Sequence, residues 1–168
     1  MNLSEYQAKA ARTLNSSLSH KTQTQEYLLG VLGETGEIID VIKKHLFHKH
    51  DLAKLPEELG DMCWYCAALC TTWEIPMSDF RMQATKHGDL FDCATALWRK
   101  ADRVSEAYFT IGTGPAFMYG VEGVLEEVLG LCEFVNISLS SVLEANIFKL
   151  EKRYPEKFST EASLKRSI

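Results

Sequence analysis

Residues 33–61 read GETGEIIDVIKKHLFHKHDLAKLPEELGD. Two acid pairs, Glu34 with Glu37 and Glu58 with Asp61, stand in stretches whose apolar residues recur at helical spacing. Residues three apart on an α-helix share a face. Val31, Glu34, Ile38 and Val41 fall on one stripe, and Leu55, Glu58, Met62 and Tyr65 on another. The acids therefore lie within or beside the apolar faces, not opposite them. Gly30, Gly33, Gly36 and Gly60 surround them. Glycine costs ~1 kcal/mol in a helix interior, so glycines here predict a close approach to the backbone.

A short connector makes the two helices antiparallel neighbours, and packing their apolar stripes together converges four carboxylates. Partly desolvated like charges cannot all stay ionised unaided. A hard divalent cation resolves the conflict, and Mg²⁺ takes oxygen ligands while keeping waters and substrate phosphates. A lone E-x-x-E is ordinarily a solvated face. Two such pairs aligned with apolar stripes on consecutive helices favour a metal site. An ion held for structure alone is the alternative, and the glycines argue against it.

The rest of the chain reads as more helix. Ser4 with Gln7 forms a capping box for a helix near 5–15, and polar residues 16–24 read as a loop. A long helix is expected over 25–47, with Leu28, Val31, Leu32, Ile38, Val41, Ile42 and Leu46 at helical spacing. Pro56 suits the first turn of the next helix, which runs to about Trp73. Ser78 could cap a short helix after Pro76. Further helices are expected over 88–109, 116–136 and 141–153, with IGTGP at 111–115 as a loop. Strand alternation is absent, so the fold class is all-α, in a single domain over 1–168 with a polar tail from 156. A spacing of 62 residues relates LCTTWEIPMSDF (69–80) to LCEFVNISLSSV (131–142). On that register a degenerate internal repeat would pair helix 25–47 with 87–109 and helix 57–73 with 119–135, the alternative being chance similarity between helical segments. The acids are not repeated, since Ala96, Arg99, Gly120 and Gly123 stand opposite them.

Composition sets the limits. The 168 residues are 46% hydrophobic and 24% charged, with a formal net charge of −5. That is an ordinary globular composition and large enough for a core. A general binder of nucleic-acid polymers should be basic, so none is expected as a partner. An acidic protein that takes a polyphosphate would need metal ions to neutralise the charge. No apolar run approaches the ~20 residues of a membrane span, and MNLSEYQAKA lacks a secretory pattern. Five cysteines, an odd count, fit free thiols in a reducing cytoplasm.

E-x-x-E, twenty residues, then E-x-x-D resembles the MazG-like branch of the all-α nucleoside triphosphate pyrophosphohydrolases. GETGEIIDVIKKHLFH resembles its first motif helix and LPEELGDMCWYCAAL its second. NLSEYQAKAARTLN and ANIFKLEKRYPEKFS resemble the opening and closing segments of phage-type members. Residues 81–140 depart from short members as a helical insertion. Compact members complete their bundle by dimerising, and the insertion could instead supply helices within the chain. The resemblance implies a bundle of that type, hydrolysis of a (deoxy)nucleoside triphosphate to monophosphate and pyrophosphate, and Glu34, Glu37, Glu58 and Asp61 as Mg²⁺ ligands, with Mn²⁺ substituting. Water activated at the metal would attack the α-phosphorus, with Glu37 or Glu34 as general base. A homo-oligomer, dimer or tetramer, and a cytoplasmic location are expected, in a bacterial host if the chain is phage-encoded.

Other groups are placed as follows. Lys43 or Lys44 could reach a phosphate, or simply end a helix. Asn146 and Lys149 share a face that Arg153 extends, and the family's closing segment covers the phosphates. Trp64, Tyr65 and Trp73 could stack on a base or pack in the core, and Tyr6, Gln7 and Arg12 could line the base pocket. His45, His48 and His50 read as a polar connector or nucleotide contact, and Cys63-x-x-Cys66 as small core residues. Glu126 and Glu127 lack a partner acid and are not counted as ligands. Two rival readings remain: a non-catalytic helical interaction module, and a dUTPase-like hydrolase that also accepts diphosphates.

Overall fold

The computed structural model describes residues 1–110, 112, 114–156, 158, 159 and 161. All regular structure among them is helical: α1 Leu3–Ala10, α2 His20–His48, α3 Leu55–Thr72, α4 Leu90–Thr110, α5 Pro115–Phe134 and α6 Leu139–Arg153, with single 3-10 turns at Ala11–Thr13 and Met77–Asp79. Most of the expected tail and part of the 111–115 loop fall outside the described residues. Among those described, no single helix is long and apolar enough to cross a membrane.

α3 is the axis. Leu55, Leu59, Met62, Cys63, Cys66, Ala67, Leu69 and Cys70 are fully buried, because α1, α2, α5 and α6 all pack on this helix. Each buried Leu or Met contributes about 1.5–3 kcal/mol relative to leaving it in water. All five cysteines are free and buried. Burial pushes the Cys63 and Cys66 thiols up, away from the thiolate that redox chemistry requires. α4 and α5 form a second pair, with α2 against α4 and α3 against α5.

The two pairs end alike at the repeat spacing. At the end of α3, Ile75 N–H donates to Cys70 O at 2.8 Å, with Glu74 left-handed at φ 53°. At the end of α5, Ile137 N–H donates to Cys132 O at 2.9 Å, with Asn136 at φ 59°. Both are Schellman endings, which satisfy a carbonyl the helix leaves orphaned.

Several boundaries differ from expectation. α1 is capped by Asn2 in a box with Glu5, not by Ser4 with Gln7. That earlier start buries Tyr6 and Ala10 on one face. Gln7 instead ties the loop after α3, donating to Ile75 O at 2.9 Å and accepting from Met77 N–H at 2.9 Å. α2 begins at His20, capped by Ser19, so part of the expected loop is helix. Ser78 lies inside a 3-10 turn whose N-cap is Pro76.

Residues 81–87 form an irregular strap along α5. Arg81 N–H donates to Glu122 Oε1 at 2.5 Å and Gln83 N–H to Glu126 Oε1 at 3.3 Å. Buried Glu127 accepts from Thr85 Oγ1 at 2.7 Å and lies 2.7 Å from His87 Nε2. The strap seats directly on Gly130, where a Cβ would lie 2.6 Å from the Thr85 carbonyl oxygen. Alanine would ordinarily gain ~1 kcal/mol in a helix, but overpacking against backbone costs about 1–3 kcal/mol. Gly130→Ala should therefore lower the thermal midpoint by several degrees in a circular-dichroism melt. An unchanged or raised midpoint would show that the strap yields freely.

Candidate metal and substrate site

α2 and α3 run antiparallel, which places Gly30 against Tyr65 and Glu34 level with Asp61. Glu34, Glu58 and Asp61 each offer an oxygen within 4.8 Å of the other two. Glu37 lies one turn along α2, exposed, and is not drawn into that triplet. The cluster sits at the helix interface because Val31, Ile38, Leu59 and Met62 on the same faces are buried in the core.

The electrostatics follow from burial and then from crowding. Burial, then the charges of Asp61 and Glu58, push the Glu34 carboxyl up to about 7, and Lys149 pulls the other way. Glu58 is also raised, by burial and then by Asp61. One cation answers the cluster directly: Lys149 Nζ lies 2.5 Å from Asp61 Oδ2 and 3.2 Å from Glu57 Oε1.

Asp61 is held from the opposite side as well. Asn146 Nδ2 donates to Asp61 Oδ1 at 2.8 Å. Asn146 is itself buried and oriented by Tyr6, whose hydroxyl lies 2.8 Å from Asn146 Oδ1 and 3.3 Å from Gly60 O. Close approach at Gly60 permits this, since a Cβ there would meet Asn146 Cβ at 3.0 Å. The four glycines thus divide. Gly30 and Gly60 admit side chains of this same chain, with a Cβ at Gly30 falling 2.1 Å from the Tyr65 ring, while Gly33 and Gly36 face open space.

A pocket opens beside the acids. α2 contributes Glu26 and Glu34, α3 contributes Asp61, Trp64 and Tyr65, and Thr13 comes from the turn after α1. Leu150, Arg153, Tyr154 and Phe158 close the other side. Trp64 Nε1 donates to Thr13 Oγ1 at 2.8 Å, and its ring meets Tyr65 edge-on at 4.9 Å between centroids.

The remaining candidates lie elsewhere. Lys43 and Lys44 each pair with Asp40 at 2.5 Å, further along α2, and hold its carboxyl down at about 2. Trp73 donates to Thr24 Oγ1 at 3.0 Å and meets His20 edge-on at 4.2 Å, away from the pocket wall. Tyr6 is buried beneath Asn146 and so positions it instead of lining the base pocket. Gln7 and Arg12 are also off that wall: Gln7 holds the loop at 75–77, and Arg12 lines a neighbouring groove with Asn15 and Thr71. His45 Nδ1 lies 2.8 Å from His50 O within the connector. Sequence reasoning missed Glu26 and Thr13, which carry no spacing signal, and the tertiary role of Tyr6.

Residues 22–87 match the family model of the MazG nucleotide pyrophosphohydrolase domain. The match contains both acid pairs and leaves α1, α4, α5 and α6 outside it. No curated protein and no solved structure gave a match.

Proposed function

From the premise that residues 22–87 are MazG-like, we propose that the chain hydrolyses a (deoxy)nucleoside triphosphate to the monophosphate and pyrophosphate with Mg²⁺, Mn²⁺ substituting. The observation that carries this reading is the convergence of Glu34, Glu58 and Asp61 within 4.8 Å. An all-oxygen set buried and crowded enough to hold one carboxyl near 7 suits a hard divalent ion. Glu34, Glu58 and Asp61 would hold it, with Glu37 one turn away. When bound, the ion supplies neutralisation of the triphosphate and draws charge from the α-phosphorus.

The chain's own groups account for the rest. Asn146 and Lys149 fix both oxygens of Asp61. The N–H of Lys149 left over from Glu57 and Asp61, and the guanidinium of Arg153 in the pocket lining, would offset charge on the leaving group. Glu37, outside the triplet, is the carboxylate free to accept the attacking water's proton. The water oxygen bonds to the α-phosphorus, the bond from that phosphorus to the bridging oxygen breaks, and pyrophosphate leaves with the electron pair. Trp64 and Tyr65 form the aromatic wall for the nucleoside. Lys43 and Lys44 would serve a phosphate only by leaving Asp40. Exposed Leu29, Phe47, Phe91 and Trp98 on α2 and α4 support a homo-oligomer.

Hydrolysis in ¹⁸O-labelled water tests the reaction. Label in the monophosphate, with unlabelled pyrophosphate, is expected. Label in inorganic phosphate would place attack at the γ-phosphorus and overturn the reading. Turnover of nucleoside diphosphates would favour the dUTPase-like alternative.

A further inference from the structure

Three carboxylates line the pocket, Glu26, Glu34 and Asp61, and the hydrolysis does not explain the job of Glu26. Glu26 and Glu34 stand eight residues apart on α2, ~12 Å along the axis, and both line the same pocket. Between them, Gly30 admits the Tyr65 ring, and Trp64 stands beside it. A nucleotide with its phosphates at Glu34 and Asp61 therefore carries its ribose past Tyr65. Its base then reaches Trp64, Thr13 and Glu26.

The polar groups at that far end are mostly spent. The Trp64 indole N–H is donated to Thr13 Oγ1, and the Thr13 hydroxyl is donated to Ala10 O at 2.8 Å. Glu26 is exposed at the surface and makes no hydrogen bond or ion pair among the described residues, and the part of it that is buried raises its carboxyl above the usual range. It is an acceptor at this end that a base edge can meet.

An ionised carboxylate only accepts hydrogen bonds. Cytosine, adenine and guanine offer it an exocyclic amine. Uracil and thymine present carbonyl oxygens on either side of their single N–H, and these repel it. We propose that Glu26 reads the nucleobase and selects nucleotides bearing an exocyclic amine over those of uracil and thymine. The proposal rests on the hydrolytic reading for the orientation of the nucleotide.

The test compares pyrophosphate release from dCTP, dATP and dGTP with that from dTTP and dUTP, in wild type and in Glu26→Gln. Binding of α,β-methylene analogues of dCTP and dUTP is measured alongside. Glutamine both donates and accepts, so it serves either edge. At least one amine-bearing substrate should exceed dUTP in kcat/KM by about 10-fold or more, the effect of one hydrogen bond to a charged group. Glu26→Gln should collapse that ratio, mainly through KM. A base-blind wild type, or a ratio unchanged in Glu26→Gln, overturns the proposal and leaves hydrolysis standing. Analogues that bind with the amine preference but without turnover of any triphosphate sustain this proposal while the hydrolytic reading fails. No binding of either analogue overturns it.

Discussion

Asp61→Ala should abolish metal-dependent pyrophosphate release, by about 10³-fold or more, the scale of losing a group that stabilises transition-state charge. Asp61 is the one carboxylate of the cluster tied from two sides, by Asn146 Nδ2 at 2.8 Å and Lys149 Nζ at 2.5 Å. Its loss removes an oxygen of the triplet and leaves Asn146, which is buried, without that acceptor. The Lys149 ammonium then keeps its ion pair with Glu57, with Glu34 and Glu58 still in its field. Asp61→Asn separates charge from shape, because it keeps a carbonyl acceptor while removing the negative oxygen. Both variants should lose turnover, and the asparagine variant should keep the wild-type helical content and melting curve more closely. Steady-state rates beside a circular-dichroism melt check this. An Asp61→Asn enzyme with near wild-type kcat would remove Asp61 from the site.

The second large effect concerns Glu34 and pH. Its carboxyl is pushed up to about 7 from an unfolded value of 4.5 by burial, Asp61 and Glu58. The folded protein therefore holds this proton more tightly than the unfolded chain does. Stability from this group is fully present below about 4.5 and is lost as pH rises through about 7. Glu34→Gln removes the loss, so without metal its melting midpoint should exceed wild type at pH 8 by about 2–4 °C and match it near pH 4.5. With metal the order reverses. Wild type gains stability by mass action, whereas Glu34→Gln lacks a charged ligand and gains little. Metal affinity in wild type should fall by up to ~10-fold per pH unit below 7, since a ligand must first lose its proton. Calorimetric titration with Mn²⁺ at pH 6 and pH 8 reads this directly, with proton release at pH 6. Equal affinities at the two pH values would show that Glu34 is not a ligand.

What the sequence carried and what it hid follow from the range of the forces involved. The acid cluster was legible because spacing of three on two successive helices is a local signal, and tertiary packing needed only to bring the stripes together. The shared face of Asn146 and Lys149 was legible from their spacing, whereas their bonds to Asp61 were not, because they join helices 85 or more residues apart in sequence. Glu26 was not, because a single acid at the polar end of a helix looks like any solvated glutamate until Trp64 and Thr13 are seen beside it. The start of α2 was misplaced because HKTQT lacks apolar spacing. Its helical state is fixed from elsewhere, by Thr24 accepting from Trp73 and by the His20 ring against the same indole. The cap of α1 was misplaced because Asn2 with Glu5 and Ser4 with Gln7 are both competent boxes. The burial of Tyr6 accompanies the first. The strap at 81–87 has no periodicity to read, since its backbone donors are met by the Glu122 and Glu126 side chains of a distant helix.

The most direct test of the central claim is pyrophosphate release from the eight common ribo- and deoxyribonucleoside triphosphates with Mg²⁺, beside Asp61→Ala and an EDTA control. The account predicts release from at least one substrate, lost in the variant and on chelation. Release that survives both, or no release from any triphosphate together with no Mn²⁺ binding, would contradict it and leave a helical scaffold whose acids hold no catalytic metal.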